Sequence, residues 1–238
     1  MNLRLPIAIT TYNRANYTRA TIESLERSRA DLSTLTIHDD ASTEPDTHDL
    51  LEQLNRKYGI MRYHENRGTY QSTFDAIEYM FNHYVTQWVV ILQNDVEVSY
   101  NWLERGMELL TECRNDHKIG IMSLYNRNEN MAGKCKWFIM TEHGHPGGVA
   151  WIVNRKWWKE YVIDVEPMDG MRWLPTGDKR TDHNVRHLCD WKLCDACKRM
   201  GYGIGVVARS LVQHIGDKSS IQDRDMTFCR VRNYVGNK

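Results

Sequence analysis

Residues 88–97, WVVILQNDVE, place an unbroken apolar run directly before a polar group that contains two carboxylates. Such a run is typical of a strand that is covered on both faces, as in a parallel sheet. Ligands of these sheets bind beyond the carboxyl ends of the strands. Asp95 therefore lies where a ligand is expected, and Glu97 is a second candidate if the strand continues and keeps both carboxylates on one face. Taken alone, Asp95 is also compatible with an ordinary turn residue that caps the next helix.

The flanking sequence alternates strand-sized apolar runs with amphipathic stretches. Strand-sized runs occupy residues 5–9, 35–38, 60–63 and 119–122, and apolar residues at helical spacing occupy 17–29, 46–58, 70–84 and 101–113. This alternation predicts an α/β fold with a mostly parallel central sheet and helices on both faces. After residue 125 the pattern is looser, and it predicts a strand over 148–153, a helix over 183–200 and short strands over 204–207 and 211–212.

The composition is that of one globular domain. Of 238 residues, 41% are hydrophobic and 26% charged, and 31 Lys and Arg balance 31 Asp and Glu. These values exclude a disordered or collagen-like chain. The zero formal net charge disfavours a protein that binds nucleic acid mainly through contacts with its phosphates. No stretch has the length of a signal peptide or a membrane span. We therefore expect a cytoplasmic protein, in the host cytoplasm if it is viral, whose six cysteines are reduced.

Polar groups follow each of the first four predicted strands. They are TTYNR at 10–14, DDAST at 39–43, ENRG at 65–68 and QNDVE at 93–97. Because the carboxyl ends of parallel strands share one edge of the sheet, these groups are expected to converge. Asp39 and Asp40 are compatible with general acid–base work, with hydrogen bonds from a base imide or a ribose hydroxyl, and with simple turn chemistry.

Three later features complete an ordered set of motifs. They are WL at 102–103, Asp190 on a helix that leads to Gly201 and Tyr202, and QHIGDKSS at 213–220. Over residues 4–220, the set resembles the glycosyltransferases of family 2, which have the GT-A fold. The resemblance implies an enzyme that moves a hexosyl or pentosyl group from a nucleotide-diphosphate donor to an acceptor hydroxyl with inversion. It also implies one GT-A domain over 1–238, with a nucleotide-sugar-binding half at 1–125, an acceptor and catalytic half at 126–220, and a C-terminal tail at 221–238.

The resemblance assigns roles to individual residues. The positions that match the nucleotide-sugar site of the family are Thr11, Tyr12, Arg14, Asp40, Arg67, Asn94 and Asp95. Thr11 and Tyr12 would lie against the base, and Asp40 would bond the base or the ribose. Asp95 and His214 would hold the cation that bridges the donor diphosphate, and Asp190 would be the catalytic base. Two positions depart from the usual motifs, since Gln93 stands where a first aspartate is common and Cys189 stands where a glutamate is common.

The chemistry of these residues bears on the choice of cation, and the sequence leaves several acceptor classes open. One carboxylate and one imidazole favour Mn²⁺ over Mg²⁺, because imidazole suits later transition metals. Trp151 and Trp191, together with the pair at 157–158, are candidates for an acceptor platform, although most large aromatic side chains fill the core. The acceptor classes that fit are a glycan, a small molecule, a protein and a hydroxymethylated base of viral DNA. The sequence leaves the oligomeric state open.

Two other classes share parts of this pattern. A nucleotidyltransferase has the same sheet and metal carboxylate, but it usually carries a Gly-rich basic loop that TTYNRANY lacks. A non-catalytic nucleotide-sugar-binding protein would not need both Asp95 and Asp190. The spacing of Cys189, Cys194 and Cys197 hints at zinc, but a structural zinc site needs four ligands, and Cys194 and Cys197 are expected in the core.

Overall fold

The computed structural model describes residues 4–127, 135–140, 146–165 and 189–216. The strands are β1 Ile7–Thr11, β2 Thr36–Asp39, β3 Gly59–Arg62, β4 Trp88–Gln93, β5 Val96–Val98, β6 Ile119–Ser123, β7 Trp137–Met140, β8 Ala150–Asn154, β9 Gly203–Val207 and β10 Val212–His214. The helices are α1 Ala15–Arg27, α2 Pro45–Leu54, α3 Gly68–His83, α4 Trp102–Asp116, α5 Arg155–Glu160, which continues into a π-helical turn at Tyr161–Val165, and α6 Cys189–Arg199.

Eight of these strands form the central sheet in the order β3-β2-β1-β4-β8-β6-β9-β7. The pairs β1–β2, β2–β3, β1–β4 and β6–β9 are parallel. Strand β8 is antiparallel to both β4 and β6, and β7 is antiparallel to β9. Six strands therefore point one way and two the other, which confirms the predicted mostly parallel sheet. A separate two-stranded sheet pairs β5 with β10 in antiparallel fashion.

Helices cover both faces of the sheet because successive strand residues face opposite sides. Ile7, Ile9 and Leu92 belong to one apolar cluster, together with side chains of α1, α2 and α4. Ala8 lies between Ile7 and Ile9, and Ile91 directly precedes Leu92. These two residues belong to a second cluster with side chains of α3, α5 and α6. Each cluster is one layer of core, so β1 and β4 are buried on both faces, as their unbroken apolar runs predict.

The predicted and observed elements differ mainly late in the chain. Strand β7 and strand β5 are not predicted, because both are short and β7 is half-buried throughout. A helix is predicted over 183–200, and residues 183–188 lie outside the described residues. In the remainder of this range, α6 begins at Cys189. The predicted tail over 221–238 also lies outside them.

Two findings concern the chain as a whole. Within the described residues, no helix has the length and apolar character needed to cross a bilayer. The cysteines at 113, 135, 189, 194 and 197 are free thiols, and Cys194 and Cys197 are buried in the core. The core position expected for these two α6 cysteines is therefore confirmed.

Candidate functional site

The loops after β1 and β2 are joined at the carboxyl edge of the sheet. The backbone N–H of Asp40 donates to the carbonyl of Thr11 at 2.9 Å, and the N–H of Asn13 donates to Ser42 Oγ at 2.7 Å. Asn13 Oδ1 accepts hydrogen bonds from the N–H groups of Thr43 and Glu44. These bonds hold the TTYNR and DDAST groups side by side, so the predicted convergence of the first two loops is observed.

Asp95 is the buried centre of this edge. Its Oδ2 lies 2.9 Å from Arg14 Nη1 and 3.3 Å from His214 Nε2. Burial alone would raise the pKa of Asp95. The hydrogen bond to His214 and the charge of Arg14 lower this pKa by a larger amount, so that the net shift is downward. Asp95 is therefore an anion at neutral pH. Its second oxygen, Oδ1, is buried and has no hydrogen-bond partner among the described residues.

The two-stranded sheet brings His214 to Asp95. In the register of β5 and β10, His214 lies opposite Val96, and the N–H of Ile215 donates to the carbonyl of Asp95 at 2.8 Å. Gly216 then passes so close that a Cβ at this position would lie 2.5 Å from Asp95 Oδ2 and 2.7 Å from Arg14 Nη2. Only a glycine leaves room for the Asp95 carboxylate and the Arg14 guanidinium together.

The Asp95–His214 pair fits the donor set of a divalent cation. Adjacent ligands of an octahedral cation with bonds of about 2.1 Å are about 3 Å apart, and the Asp95 Oδ2 to His214 Nε2 distance is 3.3 Å. The unpartnered Oδ1 of Asp95 offers a further oxygen. No cluster of three or more His, Cys, Asp or Glu side chains is found in the part of the chain that the structure describes. A cation here would therefore complete its coordination with phosphate or water oxygens, as is usual when one or two protein ligands are present.

Asn94 and Thr11 fasten the start of α1 to the end of β4. Asn94 Nδ2 donates to Thr11 Oγ1 and to Thr18 Oγ1, each at 3.0 Å, and the two hydroxyls are 3.0 Å apart. Both side chains are buried. Their polar atoms therefore serve the packing of β1, α1 and β4, and the nucleotide contacts predicted for Asn94 and Thr11 stay predictions. The neighbouring Tyr12 is half-buried.

Asp40 and Arg67 meet at the start of α3. The Asp40 carboxylate accepts the N–H of Arg67 at 2.8 Å and that of Gly68 at 2.9 Å, so it satisfies free donors at the helix N-terminus. The Arg67 side chain pairs with Asp75 and lies 4.0 Å from the ring centroid of Tyr63. Asp40 thus has a structural role beside the base or ribose contact predicted for it.

Asp190 lies at the start of α6, next to the end of β4. Gly148 separates the two, because a Cβ on Gly148 would lie 3.5 Å from Asp190 Cβ and 3.6 Å from Gln93 Nε2. Burial raises the pKa of the adjacent Cys189 to about 12, so this thiol is neutral. Asp190 therefore stands near the QND group without the neighbouring carboxylate that a glutamate at position 189 would supply.

A comparison with protein families identifies the chain. The model of glycosyl transferase family 2 matches residues 7–160, which is more than half of the sequence. The chain belongs to glycosyl transferase family 2. The match spans β1 to α5 and includes the TTYNR, DDAST and QND groups. No curated protein matches the sequence.

Solved structures confirm that this family 2 chain has the GT-A fold. It is similar to the mannosyltransferase PcManGT from Pyrobaculum calidifontis in complex with GDP-Man and Mn²⁺, with a TM-score of 0.52 and 17% identity over 86% of this chain and 56% of the other. The S. aureus TarS 1-349 structure gives 0.53 and 13% identity over 87% of this chain and 58% of the other. GalNAc-T7 with UDP, GalNAc and Mn²⁺ gives 0.56 and 14% identity over 98% of this chain and 44% of the other. The chain thus spans about half the length of these structures.

The structure corrects the acceptor platform that was expected from the tryptophans of this family 2 chain. Trp151 is only 1% exposed and its indole N–H donates to the carbonyl of Gly147, so it is a core residue rather than a surface for an acceptor. Trp157 and Trp158 are also buried, and Trp157 stacks on Tyr161. Trp191, in contrast, is 49% exposed, and its role as an acceptor contact stays a prediction.

Glu97 does not join Asp95. Strand β4 ends at Gln93, and the chain turns before β5 begins at Val96. Glu97 lies on β5 and pairs with Arg27 at 3.9 Å on the outside of the molecule. The condition for a second carboxylate, a continuous strand with both groups on one face, is therefore not met.

Two contributions to the site were missed from the sequence. The ion pair of Arg14 with Asp95 joins residues 81 positions apart, and the requirement for Gly216 appears only once β10 lies against β5. The TTYNR and QHIG groups contain both residues, but no spacing rule within the sequence connects them to Asp95.

Proposed function

We propose that the chain is a glycosyltransferase that moves a sugar from a nucleotide-diphosphate donor to an acceptor hydroxyl with inversion. The observation that carries this proposal is the placement of two separate carboxylates at one edge of the sheet. Asp95 lies in a cation-compatible pair with His214, and Asp190 lies beside Gln93 across Gly148. One carboxylate is suited to the leaving diphosphate, and the other is suited to an acceptor hydroxyl.

The donor would bind to the half of the chain formed by residues 1–125. Tyr12, Arg14, Arg67 and Asp95 lie on the loops that follow β1, β3 and β4, at the carboxyl edge where ligands of such sheets bind. Asp40 and Asn94 would act partly through the loops they fasten. In this assignment the backbone near Thr11 and the side chain of Tyr12 face the nucleotide base.

Asp95 and His214 would hold Mn²⁺, or Mg²⁺. When bound, such a cation neutralises the charge that develops on the departing diphosphate. Asp95 is suited to this role because it is anionic and its buried Oδ1 has no hydrogen-bond partner in the part of the chain that the structure describes. Two of the similar solved structures contain Mn²⁺, which supports the presence of a cation site in this chain.

Asp190 would take the proton from the attacking acceptor hydroxyl. A carboxylate positioned opposite the leaving group leads to in-line displacement, which inverts the anomeric centre. Trp191, the exposed neighbour of Asp190, would contact an acceptor that binds to the half formed by residues 126–220. The acceptor classes that we propose are a glycan, a protein, a small molecule and a hydroxymethylated base of viral DNA, and we propose a cytoplasmic location.

Product analysis tests this function directly. The chain would be incubated with Mn²⁺ and a panel of nucleotide sugars, with each acceptor class, and the products would be measured by mass spectrometry. We expect release of a nucleoside diphosphate and an acceptor whose mass increases by one sugar. Release of pyrophosphate would instead identify a nucleotidyltransferase, and binding of a nucleotide sugar without any product from the whole panel would contradict catalysis.

A further inference from the structure

Arg14 occupies a position that competes with the proposed cation. Its Nη1 contacts Asp95 Oδ2 at 2.9 Å, and this is the same oxygen that faces His214 Nε2 at 3.3 Å. The guanidinium is mostly buried, lies 4.2 Å from the ring centroid of Tyr17, and is closed in by Gly216. Its Nη2 is buried and has no hydrogen-bond acceptor among the described residues. An arginine with an unused buried donor is prepared to bind a further anionic oxygen.

The charges of the site favour a diphosphate oxygen as the group that Arg14 Nη2 would bind. In the structure as it stands, the positive charge of Arg14 compensates the negative charge of Asp95. A divalent cation on Asp95 would lie next to the guanidinium, and like charges at this distance repel strongly in a buried site. The diphosphate of a donor would bring negative oxygens that attract both the cation and Arg14 Nη2.

We infer that Arg14 makes cation binding conditional on the nucleotide. In the nucleotide-free protein, Arg14 holds Asp95 and keeps the cation affinity low. A bound diphosphate accepts hydrogen bonds from the guanidinium, which releases Asp95 for the cation. This inference rests on the proposed function, because it requires that Asp95 and His214 form the cation site.

The inference predicts a coupling between two ligands that is measurable without turnover. By thermodynamic linkage, a nucleoside diphosphate that raises the Mn²⁺ affinity must have its own affinity raised by Mn²⁺ to the same extent. Removal of the Arg14 charge should tighten Mn²⁺ binding to the nucleotide-free protein, by about 5- to 150-fold if the coupling is of ordinary size. The gain in Mn²⁺ affinity on adding a nucleoside diphosphate should shrink correspondingly.

The test is a titration of Mn²⁺ followed by electron paramagnetic resonance, with and without UDP, GDP, TDP or ADP. The variant is Arg14→Gln, which keeps a donor for Asp95 without the charge, and Arg14→Met is a second variant that keeps the stem against Tyr17. The matched control is Arg27→Gln, which also removes one positive charge near β5 but from a half-exposed pair with Glu97. We expect tighter nucleotide-free Mn²⁺ binding in both Arg14 variants and no change in Arg27→Gln.

The outcomes separate this inference from the proposed function. If wild type binds Mn²⁺ in the presence of a nucleotide but the Arg14 variants bind it no tighter without one, the role of Arg14 is wrong and the cation site stands. An equal gain in Arg27→Gln would reveal a general charge effect and would also overturn the role of Arg14. If no protein binds Mn²⁺ under any of these conditions, the cation site and the role of Arg14 are both wrong.

Discussion

At the scale of single residues, Asp95 shows how a buried carboxylate remains charged. Burial alone would raise its pKa, but His214 and Arg14 lower it below its usual value. A carboxyl group with a depressed folded pKa stabilises the protein above its unfolded pKa, and this stability is lost as the pH falls through the folded pKa. Asp95 therefore remains a ligand-competent anion throughout the neutral range.

Asp190 is the residue on which the chemical step depends in the proposed function. Asp190→Asn keeps the size of the side chain but removes its ability to accept a proton, so transfer should fall by about 10²- to 10⁴-fold. Nucleotide affinity, measured by calorimetry, should stay within a few-fold of wild type, because the proposed function places Asp190 on the acceptor side.

Asp195→Asn is the matched control for Asp190. Asp195 is on the same helix, α6, and pairs with Arg199 at 3.0 Å in a half-exposed position. The Asp195→Asn variant should transfer sugar at the wild-type rate. A near wild-type rate for Asp190→Asn would place the base elsewhere, and a loss of nucleotide binding would make Asp190 a structural residue.

His38 makes the stability of the fold depend on pH. Burial lowers its pKa to about 4, and its ring nitrogens lie 3.1 Å from Thr36 Oγ1 and 3.2 Å from Tyr63 Oη. Because the unfolded chain binds a proton near pH 6.5 and the folded chain does not, the free energy of unfolding should decrease as the pH falls between about 6.5 and 4.

The size of this decrease can be tested with a variant. Between pH 7 and pH 5, His38 should account for a loss of about 2 kcal/mol. His38→Gln removes the titrating group, so urea unfolding at the two pH values should show a smaller difference than in wild type. Substitution of the exposed His83, which stacks on Tyr79, should leave the difference unchanged. Equal pH dependence in His38→Gln and wild type would contradict the assignment.

At the scale of elements, the short β5–β10 sheet assembles the site. Each strand has three residues, and the pair is extended by a hydrogen bond from the N–H of Ser99 to the carbonyl of Leu211 and by one from Ile215 to Asp95. These bonds place His214 opposite Val96. The metal-binding pair of the proposed function therefore exists only when β10 has the correct register, since a shift by one residue turns His214 to the other face.

Gly216 tests how tightly this element encloses the site. Gly216→Ala would place a methyl group 2.5 Å from Asp95 Oδ2 and 2.7 Å from Arg14 Nη2. The overlap should displace β10 or Arg14, with a cost of about 1–3 kcal/mol in the free energy of unfolding. Mn²⁺ binding in the presence of a nucleoside diphosphate should weaken by about tenfold or more, since a shift of the ligands costs at least about 1.4 kcal/mol.

Gly203→Ala provides the comparison for Gly216→Ala. A Cβ on Gly203 would meet side-chain carbons of Ile119 and Ile139 at 3.3 to 3.6 Å, away from Asp95. This variant should change stability without changing Mn²⁺ binding in the titration. Wild-type Mn²⁺ binding by Gly216→Ala would show that the close approach of Gly216 does not shape the site.

At the scale of the whole molecule, β8 lies between β4 and β6 and brings a later part of the chain into the central sheet. Strand β8 is antiparallel to both neighbours, so its N-terminal end, preceded by Gly148, lies at the carboxyl end of β4. Helix α6 packs on one face of the sheet, where its Leu193 and Cys194 belong to the second apolar cluster. The late part of the chain is thereby carried to the edge that the first four strands form, and Asp190 reaches the vicinity of Gln93.

The sequence by itself determined the class of the fold and most of its first half. Strand β4 lies within one residue of the predicted run and α3 within two, because an unbroken apolar run and a regular helical spacing are local patterns that burial on both faces requires. The order of the motifs was also sufficient for the resemblance to family 2, which the match over residues 7–160 confirms.

Only the tertiary structure decided which side chains face one another and how deep they lie. The Asp95–His214 contact joins residues more than 100 positions apart through two three-residue strands, too short for a periodic pattern. Trp151 and Trp191 look alike in the sequence, yet one is buried between β4 and β6 and the other lies on the exposed side of α6. The hydrophobic effect favours the burial of apolar surface without specifying which side chains meet. Strand register and helix packing, rather than local composition, therefore decide which tryptophan is buried and which residues face Asp95.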